Sequence, residues 1–240
     1  MYRNNGRAIG ERLVLLRDYL IANADNLGFS RANNIAIRQA EGEYVLLLNP
    51  DTIVAEPTLR ECVSFMDTHP QAGGLGVRMH NADGTLAPES RRAIPSPWVS
   101  CLKMLGFTKR YYMSHLSWDE PGRIEVVSGA FFMLRRQALD QVGLLDEDFF
   151  MYGEDIDLSY RLLKGGWENW YQPSDIIHFK GESTQKSSFR YVHIFYQAML
   201  IFFRKHYGHQ SFLFTVPVKL AIYFRAALAL IDIVRQKLHL

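Results

Sequence analysis

The sequence predicts an α/β fold: a mostly parallel sheet flanked by helices, with amphipathic helices at the C-terminal end. Three observations carry this reading. Residues 44–48 (YVLLL) are a continuous apolar run bounded by turn signals, which suits a central strand buried on both faces. Short apolar runs then alternate with helix-period segments as far as residue 178, and there is no internal repeat. Residues 192–203 and 212–233 are strongly apolar and carry aromatics, and Lys219 and Arg225 interrupt the second stretch.

The elements follow from local chemistry. Residues 11–22 pass from helix-like to strand-like composition, and residues 23–30 are turn-rich. A helix is expected over 30–40, with Ala32, Ile35, Ala36 and Ala40 on one face and Glu41-Gly42 ending it. Pro50 cannot continue the strand over 44–48, so Asn49, Pro50 and Asp51 form its C-terminal mouth. A helix over 57–67 opens with Pro57 in its first turn. Residues 72–79 read as a second strand and 81–84 as a turn. Residues 88–118 mix prolines, aromatics and basic residues without periodicity, as an excursion over a cleft does. Ser128-Gly129-Ala130 separates strand-like residues 123–127 from 131–134. A short helix over 135–141, an acidic loop over 143–150 and a helix over 154–164 follow, the last stopped by Gly165-Gly166. Residues 167–171 and a short strand after Pro173, reaching His178, complete the pattern.

A chain of 240 residues can bury a substantial core, so one domain with an appendage is expected. Hydrophobic content of 48% with 22% charged residues excludes a disordered chain. A net charge of +2 gives no argument for nucleic acid as a partner, but its distribution is uneven. From Ser183 onward Lys186, Arg190, Arg204, Lys205, Lys219, Arg225, Arg235 and Lys237 face a single acid, Asp232. Cys62 and Cys101 lack a metal-ligand pattern and suit buried thiols in a reducing, cytoplasmic compartment. The polar residues 1–10 do not resemble a secretory signal.

Three groups carry candidate chemistry. Asp51 lies beyond the carboxyl end of a buried strand, where open α/β sheets hold ligands, and a carboxylate there can hold a divalent cation against a diphosphate. The bland alternative is a turn cap. Residues 149–153 deliver an aromatic loop to Glu154-Asp155-Ile156-Asp157, with Arg161 one helical turn beyond Asp157. Acids in a first helical turn also simply favour the helix dipole, but an acid beside aromatics in a cleft can serve as a base. His178 ends a short strand, a place that suits a metal ligand or a hydrogen-bonded structural histidine. Asn26, Gly28, Asn33 and Asn34 surround a glycine turn and a helix start, which suits a diphosphate or ribose as well as an ordinary turn.

Taken together, residues 26–52 (NLGFSRANNIAIRQAEGEYVLLLNPDT), 126–139 (VVSGAFFMLRRQAL), 142–167 (VGLLDEDFFMYGEDIDLSYRLLKGGW) and 171–183 (YQPSDIIHFKGES) resemble the inverting GT-A glycosyltransferases of family 2. The nearer resemblance is to the bacterial rhamnosyltransferase-like branch, which builds cell-surface polysaccharides. It covers residues 26–208 and implies a nucleoside-diphosphate sugar as donor and a glycan or polyprenyl-linked hydroxyl as acceptor. It implies Asp51 and His178 as ligands of Mg2+ or Mn2+, with Asn49 standing where many members have a second aspartate. It implies Asp155 as general base, Glu154 as its neighbour in positioning, and Ser128, Gly129 and Ala130 as lining for sugar and acceptor. Asp157 and Arg161 border that site and are expected to hold loop and helix in register. The strand–helix–strand that opens members of the family has no counterpart before residues 1–6, which implies an incomplete catalytic domain over 1–185 and an exposed sheet edge.

Residues 186–240 are expected to form helices that lie on an anionic inner membrane leaflet, or else pack as an internal hairpin. Two other readings compete with sugar transfer. One is an inactive remnant that binds a partner or membrane, and the other is a nucleotidyltransferase, against which the FMYGEDIDL cluster speaks.

Overall fold

A computed structural model describes residues 20–179, 188–208 and 212–238. In chain order these form α1 (Gly28–Gln39), β1 (Tyr44–Leu48), β2 (Thr52–Val54), α2 (Thr58–Thr68) and β3 (Ala72–His80). A single 3-10 turn (Pro88–Ser90) and α3 (Pro97–Met104) lead to β4 (Gly122–Ile124), β5 (Phe131–Arg135) and α4 (Arg136–Val142). The chain continues through α5 (Glu154–Lys164), β6 (Glu168–His178), α6 (Phe189–Tyr207) and α7 (Phe212–Leu238). The expected contents of residues 1–19 and 180–187 lie outside the described residues.

The strands form one six-stranded sheet in the order β1-β5-β3-β6-β2, with β4 also on β6. Side chains alternate across it as the two-residue period requires. Val45, Leu47, Phe132 and Leu134 enter a core with Ile37 of α1, Ala138 and Leu139 of α4, and Leu158 and Leu162 of α5. Phe131, Met133, Leu75, Val77 and Met79 enter the opposite core, against Cys62, Phe65 and Met66 of α2. Burial of side chains of this size contributes about 1.5–3 kcal/mol each, so the three layers are held chiefly by these two cores.

The sheet corrects one expectation. It is mixed rather than mostly parallel: among the described residues only β3 and β6 pair in parallel, and the other four pairings are antiparallel. The long strands β1, β3 and β6 do run the same way. β5 is inserted between β1 and β3 in the opposite direction, and the short β2 and β4 run against β6. These three strands are entered through turns or through the excursion, not through a helical crossover, so nothing forces them parallel. Two further elements, β2 and α3, have no periodic signal at their lengths. Cys101 is exposed, against the expectation of two buried thiols, while Cys62 is buried.

Both C-terminal helices are present. α6 starts on Ser188, whose hydroxyl accepts from the Tyr191 amide at 3.1 Å. Its Ala198 and Phe202 pack with Phe149, Val126 and Ile94, over the loop that precedes α5. α7 packs on α6 but leaves Leu220, Tyr223 and Phe224 about 60% exposed. No helix among the described residues is long and apolar enough to cross a membrane.

Candidate active site

The first half of the site forms where β1 ends. The ladder to β5 runs one residue past the strand, with the Asn49 amide donating to the Ala130 carbonyl at 3.0 Å. Pro50 then turns the chain, and the Thr52 hydroxyl closes the turn on the Asn49 carbonyl at 2.6 Å. β2 leaves this turn paired against β6, with Thr52 opposite His178, and the Phe179 amide donates to the Asp51 carbonyl at 2.9 Å. That pairing brings two remote residues together. Asp51 Oδ1 lies 3.3 Å from His178 Nε2, with the two side chains 11% and 14% exposed. Asn49 Nδ2 lies 3.5 Å from the same ring nitrogen. Asp51 Oδ1 is buried and accepts no hydrogen bond. The Asp51 carboxylate, buried beside an imidazole nitrogen, is an oxygen donor of the kind that Mg2+ or Mn2+ takes. No group of three or more His, Cys, Asp or Glu side chains converges among the described residues.

The second half of the site forms at the start of α5. Tyr152 and Gly153 are both left-handed, with φ of 67° and 91°, which turns the chain sharply into Glu154. A left-handed tyrosine costs about 1–2 kcal/mol, and its ring is held in place by Tyr191 and Phe195 of α6. Asp155 is anchored at both oxygens. Its Oδ2 accepts from Arg92 Nη2 at 2.5 Å and from the Gly129 amide at 3.1 Å, and its Oδ1 accepts from the Ile156 amide at 2.8 Å. Ser128, Gly129 and Ala130 therefore form a bridge between the halves, with Gly129 tied to Asp155 and Ala130 tied to Asn49. A methyl group at Gly129 would meet the Asp155 side chain no closer than 3.5 Å, so no protein neighbour demands glycine there.

Glu154 is buried beside Asp155. It is 6% exposed, and its Oε2 has no hydrogen-bond partner. Burial, with the Asp155 charge beside it, pushes the Glu154 carboxyl up to about 8, against the pull of its own backbone amide and of Arg92.

Asp157 and Arg161 are occupied with the scaffold. Arg161 Nε meets Asp157 Oδ2 at 2.7 Å, and its two terminal nitrogens donate to the carbonyls of Val142, Gly143 and Leu144. His206 of α6 takes the other Asp157 oxygen at 2.7 Å. Burial raises the Asp157 carboxyl, but His206 and Arg161 outweigh it and hold it below its usual range. Asn26 and Asn33 are likewise engaged locally: Asn26 Oδ1 accepts from the Gly28 amide at 3.1 Å, and Asn33 Nδ2 donates to the Phe29 carbonyl at 2.8 Å. Gly28 has φ of 79°, and a Cβ there would stand 2.4 Å from the Phe150 oxygen, which accepts from the Phe29 amide at 2.7 Å. Glycine is thus required where α1 meets the acidic loop. A hollow of about 290 Å3 at Asn26, Leu27, Arg31, Glu147, Asp148 and Phe150 includes none of the acids just described.

Comparison with known proteins gives the family. The sequence profile of the family described as Glycosyltransferase like family 2 matches residues 11–193. The chain belongs to glycosyltransferase family 2. It is similar to the N-acetylglucosaminyl-diphospho-decaprenol L-rhamnosyltransferase of Mycobacterium tuberculosis, at 30% identity over 224 residues, covering 83% of this chain and 72% of the relative. It is also similar to Rhamnosyltransferase WbbL of Escherichia coli, at 27% identity over 186 residues, covering 69% of this chain and 70% of that one. A crystal structure of GalNAc-T7 with UDP, GalNAc and Mn2+ aligns at a TM-score of 0.49 and 19% identity, over 72% of this chain and 35% of that one. The family 2 glycosyltransferase described here is therefore a sugar-transferring enzyme.

One feature of this glycosyltransferase had no sequence signal: Arg92 reaches Asp155 from the aperiodic excursion. The only hint was its place in a basic stretch with Glu89 as its single acid, which does not single out Arg92 from its neighbours.

The Glu154 environment gives a stability prediction. A carboxyl whose pKa rises on folding binds its proton more tightly in the folded state, so stability falls as pH climbs from the ordinary carboxyl range toward about 8. Glu154→Gln removes that loss. Its thermal midpoint should match the unsubstituted protein near about pH 5 and exceed it near about pH 8. Equal midpoints at both pH values, by scanning calorimetry, would contradict a buried Glu154 carboxyl of this kind.

Proposed function

We propose that this enzyme moves a sugar, L-rhamnose in the first instance, from a nucleoside-diphosphate donor to a hydroxyl of a lipid-linked glycan, inverting the anomeric centre. The observation that carries this reading is the pairing of the buried Asp51 Oδ1 with His178 Nε2 at the mouth of β1, joined through residues 128–130 to the anchored Asp155. The identity of the sugar and acceptor is supported by the rhamnosyltransferase relatives, of which the mycobacterial one is named for a decaprenyl-linked acceptor.

Asp155 accepts the proton of the acceptor hydroxyl as that oxygen's electron pair forms a bond to the anomeric carbon. The bond from that carbon to the donor diphosphate breaks, and its electron pair leaves with the diphosphate. Asp51 and His178 would hold Mg2+ or Mn2+, which supplies positive charge against the departing diphosphate. Asn49 adds an amide donor beside them. Ser128, Gly129 and Ala130 lie between the two halves and line the place for sugar and acceptor. Asn26, Gly28 and Asn33 border the donor side through the α1 turn, while Asp157 and Arg161 keep the acidic loop in register. Glu154 helps position the acceptor or the base.

The test is transfer itself. The full chain is incubated with nucleoside-diphosphate L-rhamnose, N-acetylglucosaminyl-diphospho-polyprenol and Mn2+. Mass spectrometry should find one added deoxyhexose on the lipid. Donor binding without any transfer would favour the inactive-remnant reading.

We further read residues 186–240 as the part of the enzyme that meets the cytoplasmic face of an anionic membrane. Lys219, Leu220, Tyr223, Phe224 and Arg225 form an exposed, basic and apolar stretch of α7 that supports this. Deleting residues 211–240 should release the protein from sedimenting phosphatidylglycerol vesicles, and high salt should release it only in part. Equal sedimentation of the intact and shortened proteins would refute the role of α7.

A further inference from the structure

Among the described residues Arg92 reaches a candidate reacting group from outside the motifs, and its surroundings are built around it. Its carbonyl accepts from the Glu125 and Val126 amides at 3.1 and 2.9 Å, an isolated bridge that fixes the backbone. The next two residues are pinned as well: the Ala93 amide donates to Tyr111 O at 2.7 Å, and the Ile94 amide to Glu125 Oε2 at 2.7 Å. From this anchored segment the guanidinium enters a space where it is 12% exposed. There a single nitrogen, Nη2, donates to Asp155 Oδ2 at 2.5 Å and to the Val127 carbonyl at 3.2 Å. Burial works against the Arg92 charge, and Asp155 and Tyr111 outweigh it.

A carboxylate offers about four lone-pair directions. At Asp155 three are taken, by Arg92, Gly129 and Ile156. We propose that Arg92 is a positioning residue for transfer: it fixes the Asp155 carboxylate so that its one remaining direction meets the acceptor hydroxyl, and it balances the negative charge held there. The inference rests on the reading of Asp155 as the base. The groups facing Asp155 are then Arg92 from the excursion and Glu154 from its own helix, with Tyr111 facing Arg92. Because Arg92 belongs to residues 88–118, the excursion sets the direction of the base.

A merely structural arginine would lower activity in any background, whereas a residue that acts through Asp155 should lose its effect when Asp155 cannot accept a proton. Steady-state kinetics of the full chain with nucleoside-diphosphate L-rhamnose, N-acetylglucosaminyl-diphospho-polyprenol and Mn2+ separates the two. Arg92→Gln should lower kcat by about 10–100-fold, the scale for a misaimed catalytic group, with donor KM changed less than about 2-fold. Arg92→Lys, which keeps the charge and loses the planar fork, should fall between Arg92→Gln and the unsubstituted enzyme. The double variant Arg92→Gln/Asp155→Asn should be no slower than Asp155→Asn alone. Should Arg92→Gln not fold, the same cycle with Arg92→Lys decides, with a fall of about 3–10-fold that vanishes in the Asp155→Asn background. Unchanged kcat in the arginine variant, or a double variant slowed by both factors, overturns the role of Arg92 while a collapsed Asp155→Asn leaves the base assignment standing. Full turnover in Asp155→Asn removes the base assignment and this inference with it.

Discussion

Asp51→Ala is expected to abolish divalent-cation-dependent binding of the nucleoside diphosphate without unfolding the enzyme. The two parts of that statement have separate causes. Loss of a partner in the outer shell of a metal site already costs about 10–100-fold in affinity, so loss of one of two protein ligands should cost at least ~10²-fold. The fold should survive because Asp51 Oδ1 accepts no hydrogen bond, while the backbone carbonyl that ties this turn to Phe179 remains in an alanine variant. Calorimetry of the nucleoside diphosphate with and without Mn2+ measures the loss. Metal-dependent affinity equal to that of the unsubstituted enzyme would remove Asp51 from the cation site.

Asp155→Asn should lower turnover by at least ~10²-fold, the usual scale for a lost general base, with donor affinity little changed. Asparagine keeps the shape and can still accept from Gly129, but it cannot take a proton. Glu154→Gln should cost less in kcat and more in acceptor KM. The two acids are neighbours in sequence, and successive side chains of a helix leave it about 100° apart. Asp155 is turned toward Gly129 and the bridge to Asn49, whereas the Glu154 carboxyl is buried with one oxygen unpartnered. Steady-state kinetics on both variants at fixed pH and metal decides between them. Near-normal turnover in Asp155→Asn with collapse in Glu154→Gln would move the base role to Glu154.

Much of this architecture was legible in the sequence, and the reasons differ by element. β1 and α5 were readable because an uninterrupted apolar run and a helical period with a glycine stop have few alternative structures. The direction of β5 was not, because FFML looks the same whether its neighbours run with it or against it. The nearness of Asp51 and His178 depends on β2, whose three residues carry no periodicity and leave Ile53 exposed. Each was visible as the end of a strand, but their meeting is a product of pairing. Arg92 was illegible for a related reason. Its segment is held by bridges and side-chain contacts to residues 111–126, and such contacts leave no local pattern. The tail was readable as helical and basic. Which of its faces pack was not, since α6 turns Ala198 and Phe202 to the loop before α5 while α7 leaves Tyr223 and Phe224 outward.

The proposed single displacement at Asp155 is tested most directly by the anomeric configuration of the first product. The full chain, nucleoside-diphosphate L-rhamnose of known configuration, N-acetylglucosaminyl-diphospho-polyprenol and Mn2+ are combined, and the new glycosidic bond is followed by NMR from the earliest turnovers. The configuration opposite to that of the donor is predicted, with no sugar attached to the protein at any time. Retained configuration, or a sugar–protein adduct that forms and decays with turnover, would contradict it.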